Sequence, residues 1–397
     1  MTTFDWIVLF GTLFLIVAYG TWRTRTSRSI NDYLRGGNQM SWFTIGVSVM
    51  ATQASAITFL SAPGLGYESG LRFVQFYFGL PLALILVSAF IIPIYYRLKV
   101  YTAYQYLENR FDLNTRLLAA FLFLVQRGLA AGLTIFAPAI ILSTLLGWNL
   151  NLTNLFVGIL VIIYTVTGGS KAVSITQKLQ MGIIMLGMTL AFVILILEIQ
   201  DHTQLGTALN LAGSAGRMQI LDFNFDLNER YTIWSGLTGG LFLALSYFGT
   251  DQSQVQRYLT GKSIRESRLG LMFNALLKIP MQLFILFTGV LVFIFYLYEK
   301  PPVFFNEVAV ERLAQNGYRG EVEAIENAYH LNYEQLQKAR ADFEVALEEQ
   351  GLKEQTLTRD EFLRKLEDDQ EIRGDMKQLL VKADPNFKVK DTNYVFL

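Results

Sequence analysis

The sequence contains no cysteine, which excludes a disulfide framework and a thiolate metal site. It has only two histidines, His202 and His330, far apart in polar stretches. A structural zinc centre needs about four ligands, and these two do not begin one. Acidic and basic side chains balance at 33 each, with no basic patch of the kind that binds nucleic acid. No nucleophile–base pair stands out, and Gly168-Gly169 lacks the flanking Lys-Ser/Thr of a phosphate loop. The residues therefore indicate no enzyme and no nucleic-acid partner.

Hydrophobic residues, by contrast, make up 52% of the chain, and they are unevenly spread. Apolar runs of about 20 residues, long enough to cross a bilayer, recur from Phe4 to Tyr298. They define candidate spans at Phe4–Trp22, Trp42–Gly66, Phe73–Leu98, Leu117–Leu146, Leu152–Gly168, Leu179–Ile199, Thr232–Thr250 and Leu271–Tyr298. Asp5 stands at the head of the first run, while Arg23, Arg25 and Arg28 follow it. That order is the reverse of a cleavable signal peptide, so the run is read as a retained span.

The loops then orient the chain. One alternating set carries Arg23, Arg25, Arg28 and Arg35, then Arg97, Lys99, Arg110 and Arg116, then Lys171 and Lys178, then Arg257, Lys262, Arg265 and Arg268; the other carries little beyond Arg72, Arg217 and Arg230. The positive-inside rule assigns the first set to the cytoplasm. It follows that this is a multi-pass cell-membrane protein in a lipid bilayer, with its N-terminus extracytoplasmic. Residues 1–300 form the transmembrane domain. Residues 301–397, after Pro301-Pro302, form a charged extracytoplasmic segment with helices expected over Glu321–Glu349 and Asp360–Lys382.

Two spans do not read as uninterrupted helices. The second holds Ala51-Thr52-Gln53-Ala54-Ser55-Ala56 at mid-membrane depth. The seventh holds Gly239-Gly240 and then Ser246-Tyr247-Phe248-Gly249-Thr250. Backbone freed from a helix inside a membrane needs a cavity or protein partners, and broken helices are where secondary transporters bind solute and ions. Close packing of helices through small residues is the other reading.

Four motifs stand in order at span boundaries. They are Tyr33-Leu34-Arg35-Gly36-Gly37, Ser61-Ala62-Pro63-Gly64-Leu65-Gly66-Tyr67-Glu68-Ser69-Gly70, Thr167-Gly168-Gly169-Ser170-Lys171-Ala172-Val173 and Asp251-Gln252-Ser253-Gln254-Val255-Gln256-Arg257-Tyr258. On them the sequence resembles the sodium:solute symporter family over nearly all of residues 1–300. The stretches Leu221-Asp222-Phe223-Asn224 and Gln256-Arg257-Tyr258 look closest to its iodide/monocarboxylate/vitamin branch. The resemblance implies an all-α integral membrane protein with a LeuT-type inverted-repeat core. It also implies an extra N-terminal helix and a helical extracytoplasmic insertion, the core being incomplete because its last helices would follow Leu397. The implied function is symport of a small polar solute, coupled to Na+, by alternating access. A transporter-fold sensor or a carrier for a neutral sugar is the alternative.

The resemblance also points to site residues. Backbone carbonyls of Ala51 and Ala54 match the first-repeat part of the sodium site. A second sodium site in some relatives uses an acid where this chain reads Thr176-Gln177, which argues for one sodium. Gln53, Ser55 and Thr58 match positions that relatives turn towards substrate. Gln75 either joins them or hydrates the outer mouth. Arg127 lies inside the fourth span, where a charge costs roughly 2.5–3.5 kcal/mol. It either receives a substrate carboxylate through its planar fork, as the arginine of sialic acid carriers does, or it is a structural ion pair or a snorkelling group. Asp251 and Lys278 match polar substrate-side positions in a sugar-carrying relative; a structural gating pair is the other reading. Tyr77 stands where that relative has its sugar-binding acid.

Overall fold

In a computed structural model, the described residues are 30–146, 148–226, 228–349 and 352–385, with single positions or short groups at 6–8, 10–12, 14, 15, 18, 387, 391, 394 and 395. Of the predicted first span, Phe4–Trp22, the described positions are helical. Arg23, Arg25 and Arg28 lie outside the described residues, as do Asn393, Phe396 and Leu397.

The described chain is helical nearly throughout. In order the helices are α1 (Ile30–Arg35), α2 (Trp42–Gln53), α3 (Ala56–Ser69), α4 (Gly79–Leu86), α5 (Ile92–Leu98), α6 (Gln105–Arg110), α7 (Leu113–Leu146), α8 (Leu150–His202), α9 (Leu205–Ser214), α10 (Ile233–Thr250), α11 (Gln252–Leu259), α12 (Ile264–Tyr298), α13 (Glu307–Leu313), α14 (Arg319–Glu349) and α15 (Leu352–Ala383). Among the described residues, four stretches have the length and apolarity to cross a membrane: Thr58–Leu98, Leu113–Ile140, Gly169–His202 and Ile264–Tyr298. On α7, Leu117, Phe121, Leu124, Leu129 and Leu133 are exposed. Such a row is stable where hydrocarbon takes the place of water.

The chain divides into two units. The first comprises Met1–Thr58, Val74–Gly187 and Phe223–Gln282; the second comprises Phe59–Phe73, Met188–Asp222 and Leu283–Leu397.

In the first unit a core of Ile45, Val49, Leu84, Val87, Phe248 and Tyr258 is fully or nearly buried. The second predicted span breaks within its Ala/Ser/Thr-rich stretch: α2 ends at Gln53, and Ala54 leaves the helical region (φ −88°, ψ 78°). The seventh span behaves differently. Its Gly239-Gly240 pair does not interrupt α10, which runs unbroken to Thr250; the chain turns at Asp251 (φ −75°, ψ 117°) and restarts as α11. The small residues here serve close packing. A Cβ on Gly236 would fall 2.0 Å from the Gln75 carbonyl oxygen, and one on Gly240 would fall 2.4 Å from that of Phe76. Backbone-to-backbone approach of this kind is the membrane use of small residues. The fifth and sixth predicted spans are joined in α8, whose helical backbone is interrupted only at Gly169 (φ 57°, ψ −164°). There the conformation favours glycine, and a Cβ would meet the Tyr33 carbonyl oxygen at 2.7 Å.

In the second unit, α13, α14 and α15 close over Val303, Phe304, Tyr329, Met376 and Leu380. Arg373 anchors this packing. It donates to Asp369 (2.9 Å), Tyr329 Oη (2.6 Å) and the Val303 carbonyl (3.3 Å). Nearby, Asp391 accepts from the Phe305 amide at 2.9 Å, and burial pushes its carboxyl up to about 6. A carboxyl raised in this way binds more protons folded than unfolded, so its stabilising contribution is full below the unfolded value and is lost as pH rises towards 6. Asp391→Asn, which keeps the Oδ1 acceptor, is expected to raise the melting temperature at pH 7.5 and leave it unchanged at pH 4. The gain is bounded at about 3 kcal/mol, since one pKa unit is worth about 1.4 kcal/mol. Equal shifts at both pH values, followed by differential scanning fluorimetry, would contradict the buried carboxyl as the cause.

Candidate functional site

The break after α2 places Gln53 at the wall of a cavity of about 300 Å³ that also takes Tyr77, Leu243, Tyr247, Phe248 and Lys278. The walls are chiefly apolar and aromatic, and the polar groups are few, which is the usual make-up of a small-molecule pocket. The Gln53 Oε1 atom is buried with no hydrogen-bond partner. Lys278, carried by α12, is 1% exposed. Its ammonium sits 5.5 Å from the centre of the Tyr77 ring, and no carboxylate reaches it among the described residues. A buried ammonium held only by a ring face is incompletely compensated. Tyr77 thus faces a cation.

Around the break, Thr58 Oγ1 donates to the Gln53 carbonyl at 3.3 Å, and the Thr58 amide donates to the Ser55 carbonyl at 2.9 Å. These contacts hold the turn; neither side chain lines the cavity. The Ala54 amide donates to both the Met50 and Ala51 carbonyls at 3.1 Å. The φ and ψ of Ala54 take its own carbonyl out of the helical ladder. Oxygen donors of this kind suit a hard cation.

Arg127 has the acid partner that its own apolar span lacks. Its guanidinium pairs with Asp251 and lies 5.5 Å from the centre of the Tyr247 ring. Asp251 is 8% exposed and also accepts from the Ser253 amide (2.9 Å) and Ser253 Oγ (2.7 Å), capping α11. This corrects the reading that pairs Asp251 with Lys278: Asp251 belongs to Arg127, and Lys278 stands apart over Tyr77. Leu243 and Tyr247 line the Gln53–Lys278 cavity on one side, and with Tyr104, Gln126 and Asp251 they also line a second cavity of about 660 Å³. Tyr247 therefore forms a shared wall. Sequence reasoning missed that role, because an aromatic in an apolar span carries no local mark of the two cavities it separates.

Gln75 does not hydrate an outer mouth. It is fully buried, and its Nε2 donates to the Tyr231 carbonyl at 3.0 Å, tying the segment before α4 to the start of α10. Gln177 is likewise engaged. Ser48 Oγ donates to its Oε1 at 2.7 Å, and its Nε2 donates to Thr52 Oγ1 at 3.2 Å.

Comparison with known proteins agrees with this architecture. The chain is 32% identical to the human sodium/iodide cotransporter over 274 residues, covering 68% of this chain and 41% of that protein. It is 33% identical to sodium-coupled monocarboxylate transporter 2 of Bos taurus over 277 residues, covering 68% and 44%. It thus spans less than half the length of these curated relatives. A solved structure of a Na+-coupled sialic acid symporter, in a substrate-bound outward-open state, superposes with a TM-score of 0.71 at 22% identity, covering 99% of this chain and 78% of that one. That likeness shows the fold, an all-α transporter architecture. The model of the sodium:solute symporter family matches residues 33–316, and the chain belongs to that family.

Proposed function

We propose that this chain supplies the solute-binding half of a sodium-coupled symporter whose solute is a small anion, most readily a monocarboxylate, carried by alternating access. The observation that carries this reading is Lys278, buried and, among the described residues, without a carboxylate partner, in the same cavity as the orphaned Gln53 Oε1. An anionic group beside the ammonium would offset the cost of burying it, while the amide of Gln53 would fix the group's orientation. The two relatives above are named for iodide and for monocarboxylates, both anions, in line with a cationic pocket. A neutral sugar would leave the ammonium uncompensated. In this reading Arg127, held by Asp251 and facing the Tyr247 ring, turns to the solute only when that pair opens. The coupling Na+ takes the Ala51 and Ala54 carbonyls in this reading. The bias of Arg and Lys among the loops supports an extracytoplasmic N-terminus, with residues 301–397 on that same face in this reading.

The test is uptake into liposomes holding the protein at full length, under an inward sodium gradient, of iodide, pyruvate and galactose. Sodium-driven uptake of iodide or pyruvate is expected, falling by about two orders of magnitude in Lys278→Met and recovering in part in Lys278→Arg, as loss of a buried charge-assisted contact implies. Uptake of galactose alone, or anion uptake indifferent to Lys278→Met, would sink the proposal.

A further inference from the structure

The second unit contains a polar cavity that the transport cycle as proposed does not use. It measures about 400 Å³, within the size range of small-molecule sites, and its walls come from the end of α3, the end of α12, the loop after α9 and helices α14 and α15. One side is aromatic. Tyr67 stands edge-on to Phe293, Tyr296 and Phe305, with ring centres 6.0, 6.1 and 5.6 Å away. The other side is charged, and its charges are unequally satisfied.

Of the acids facing the cavity, Asp369 is held by Arg373 at 2.9 Å. Asp391 accepts from the Phe305 amide, and Glu68 is exposed. Of the cations, Arg373 spends its fork on Asp369, Val303 and Tyr329. Arg217 and Lys377 have no carboxylate in ion-pairing distance among the described residues. Arg217 donates to a backbone carbonyl, that of Glu68. Its guanidinium lies 5.1 Å from the centre of the Phe293 ring, and its Nε is buried with no acceptor. A buried guanidinium N–H without an acceptor is costly, and a planar oxyanion is the acceptor whose shape fits that fork.

We propose that this cavity is a binding site for a small ring-bearing carboxylate, distinct from the Gln53–Lys278 cavity. The carboxylate would pair with Arg217 and Lys377, and the ring would pack among Tyr67, Tyr296 and Phe305. The site needs the C-terminal helices as well as the ends of two apolar ones, so it gives residues 301–397 a ligand-binding role. If the segment lies on the extracytoplasmic face, it would sample the anions outside the cell.

The probe is radiolabelled benzoate, measured by scintillation proximity on the purified full-length protein at constant sodium and ionic strength, with chloride as competitor. Saturable binding that chloride does not displace is expected. It should weaken by at least about tenfold in Arg217→Gln/Lys377→Gln, which removes two charge-assisted contacts. Saturable binding should persist in Lys278→Met, whose transport cavity has lost its ammonium, which separates this site from that cavity. Gln370→Trp keeps every charge but fills the cavity, so in the Lys278→Met background it should abolish binding even if the Arg217/Lys377 variant folds poorly. Absence of saturable benzoate binding overturns the proposal. So does binding lost in Lys278→Met but intact in Gln370→Trp.

Discussion

Arg127→Gln is expected to destabilise the protein by about 3 kcal/mol, the low end of what breaking a buried ion pair costs. The larger part of that loss comes from what remains. Asp251 is 8% exposed and would keep its charge with only Ser253 and the start of α11 to stabilise it. Arg127 itself is 30% exposed on its side chain, which lets solvent take up some of the strain and sets the low end of the range. Adding Asp251→Asn removes the orphaned charge, and the double variant is expected to recover most of the stability. A double-mutant cycle followed by unfolding in mild detergent measures the coupling. Additive losses would mean that the two side chains do not act as a pair. Their sequence separation of 124 residues makes such a coupling unreadable before folding.

Gly289→Ala is expected to have a comparable or larger effect through a different cause. A Cβ at Gly289 would fall 1.9 Å from the Pro63 carbonyl oxygen, and one at Gly66 would fall 2.2 Å from the Leu286 carbonyl oxygen. The helices α3 and α12 thus touch backbone to backbone in the second unit. No side chain can rotate away to make room, so the helices must separate and give up contacts on both sides, including those of Tyr67 with Phe293 and Tyr296. Overpacking usually costs about 1–3 kcal/mol, and a clash with rigid backbone belongs at or above the top of that range. Gly187→Ala provides the contrast, because nothing lies within 4 Å of its added methyl. There the helix is expected to gain about 0.5–1 kcal/mol from the lower backbone entropy of alanine. Opposite signs at the two positions, read as melting temperatures and recovered monodisperse protein, are the expected result. Similar behaviour at both would refute the close crossing.

Much of the architecture was legible before folding. Runs of apolar residues with the length of a bilayer mark the spans, because every backbone group in hydrocarbon must be bonded within its own helix. The polar and small stretch around Gln53 and Ala54 marked a break, which appears at Ala54. Gly169 marked the joint between two spans, which appears as the positive φ inside α8. The charged helices beyond Pro301-Pro302 were visible as polar amphipathic stretches and appear as α14 and α15. In each case the information is local: hydropathy, backbone preference or a small side chain acts within a few residues of where it is written.

What only the tertiary structure decided is partnership. Gly239-Gly240 suggested a break, but α10 runs through it and the interruption falls at Asp251. Glycine permits either a bend or a close approach, and the neighbouring Gln75–Phe76 backbone selected the approach. The sequence left Arg127 open between a solute contact and an ion pair, and offered Lys278 as one partner for Asp251, because a list of charges along a chain says nothing of distances across a bundle. Folding brought Asp251 to Arg127 and left Lys278 facing Tyr77 and the cavity. Local sequence determined which segments are helical and apolar. Which buried charge is satisfied and which is left for a ligand is a property of three-dimensional packing, since Coulomb and hydrogen-bond energies depend on separations of a few ångströms that sequence spacing does not set.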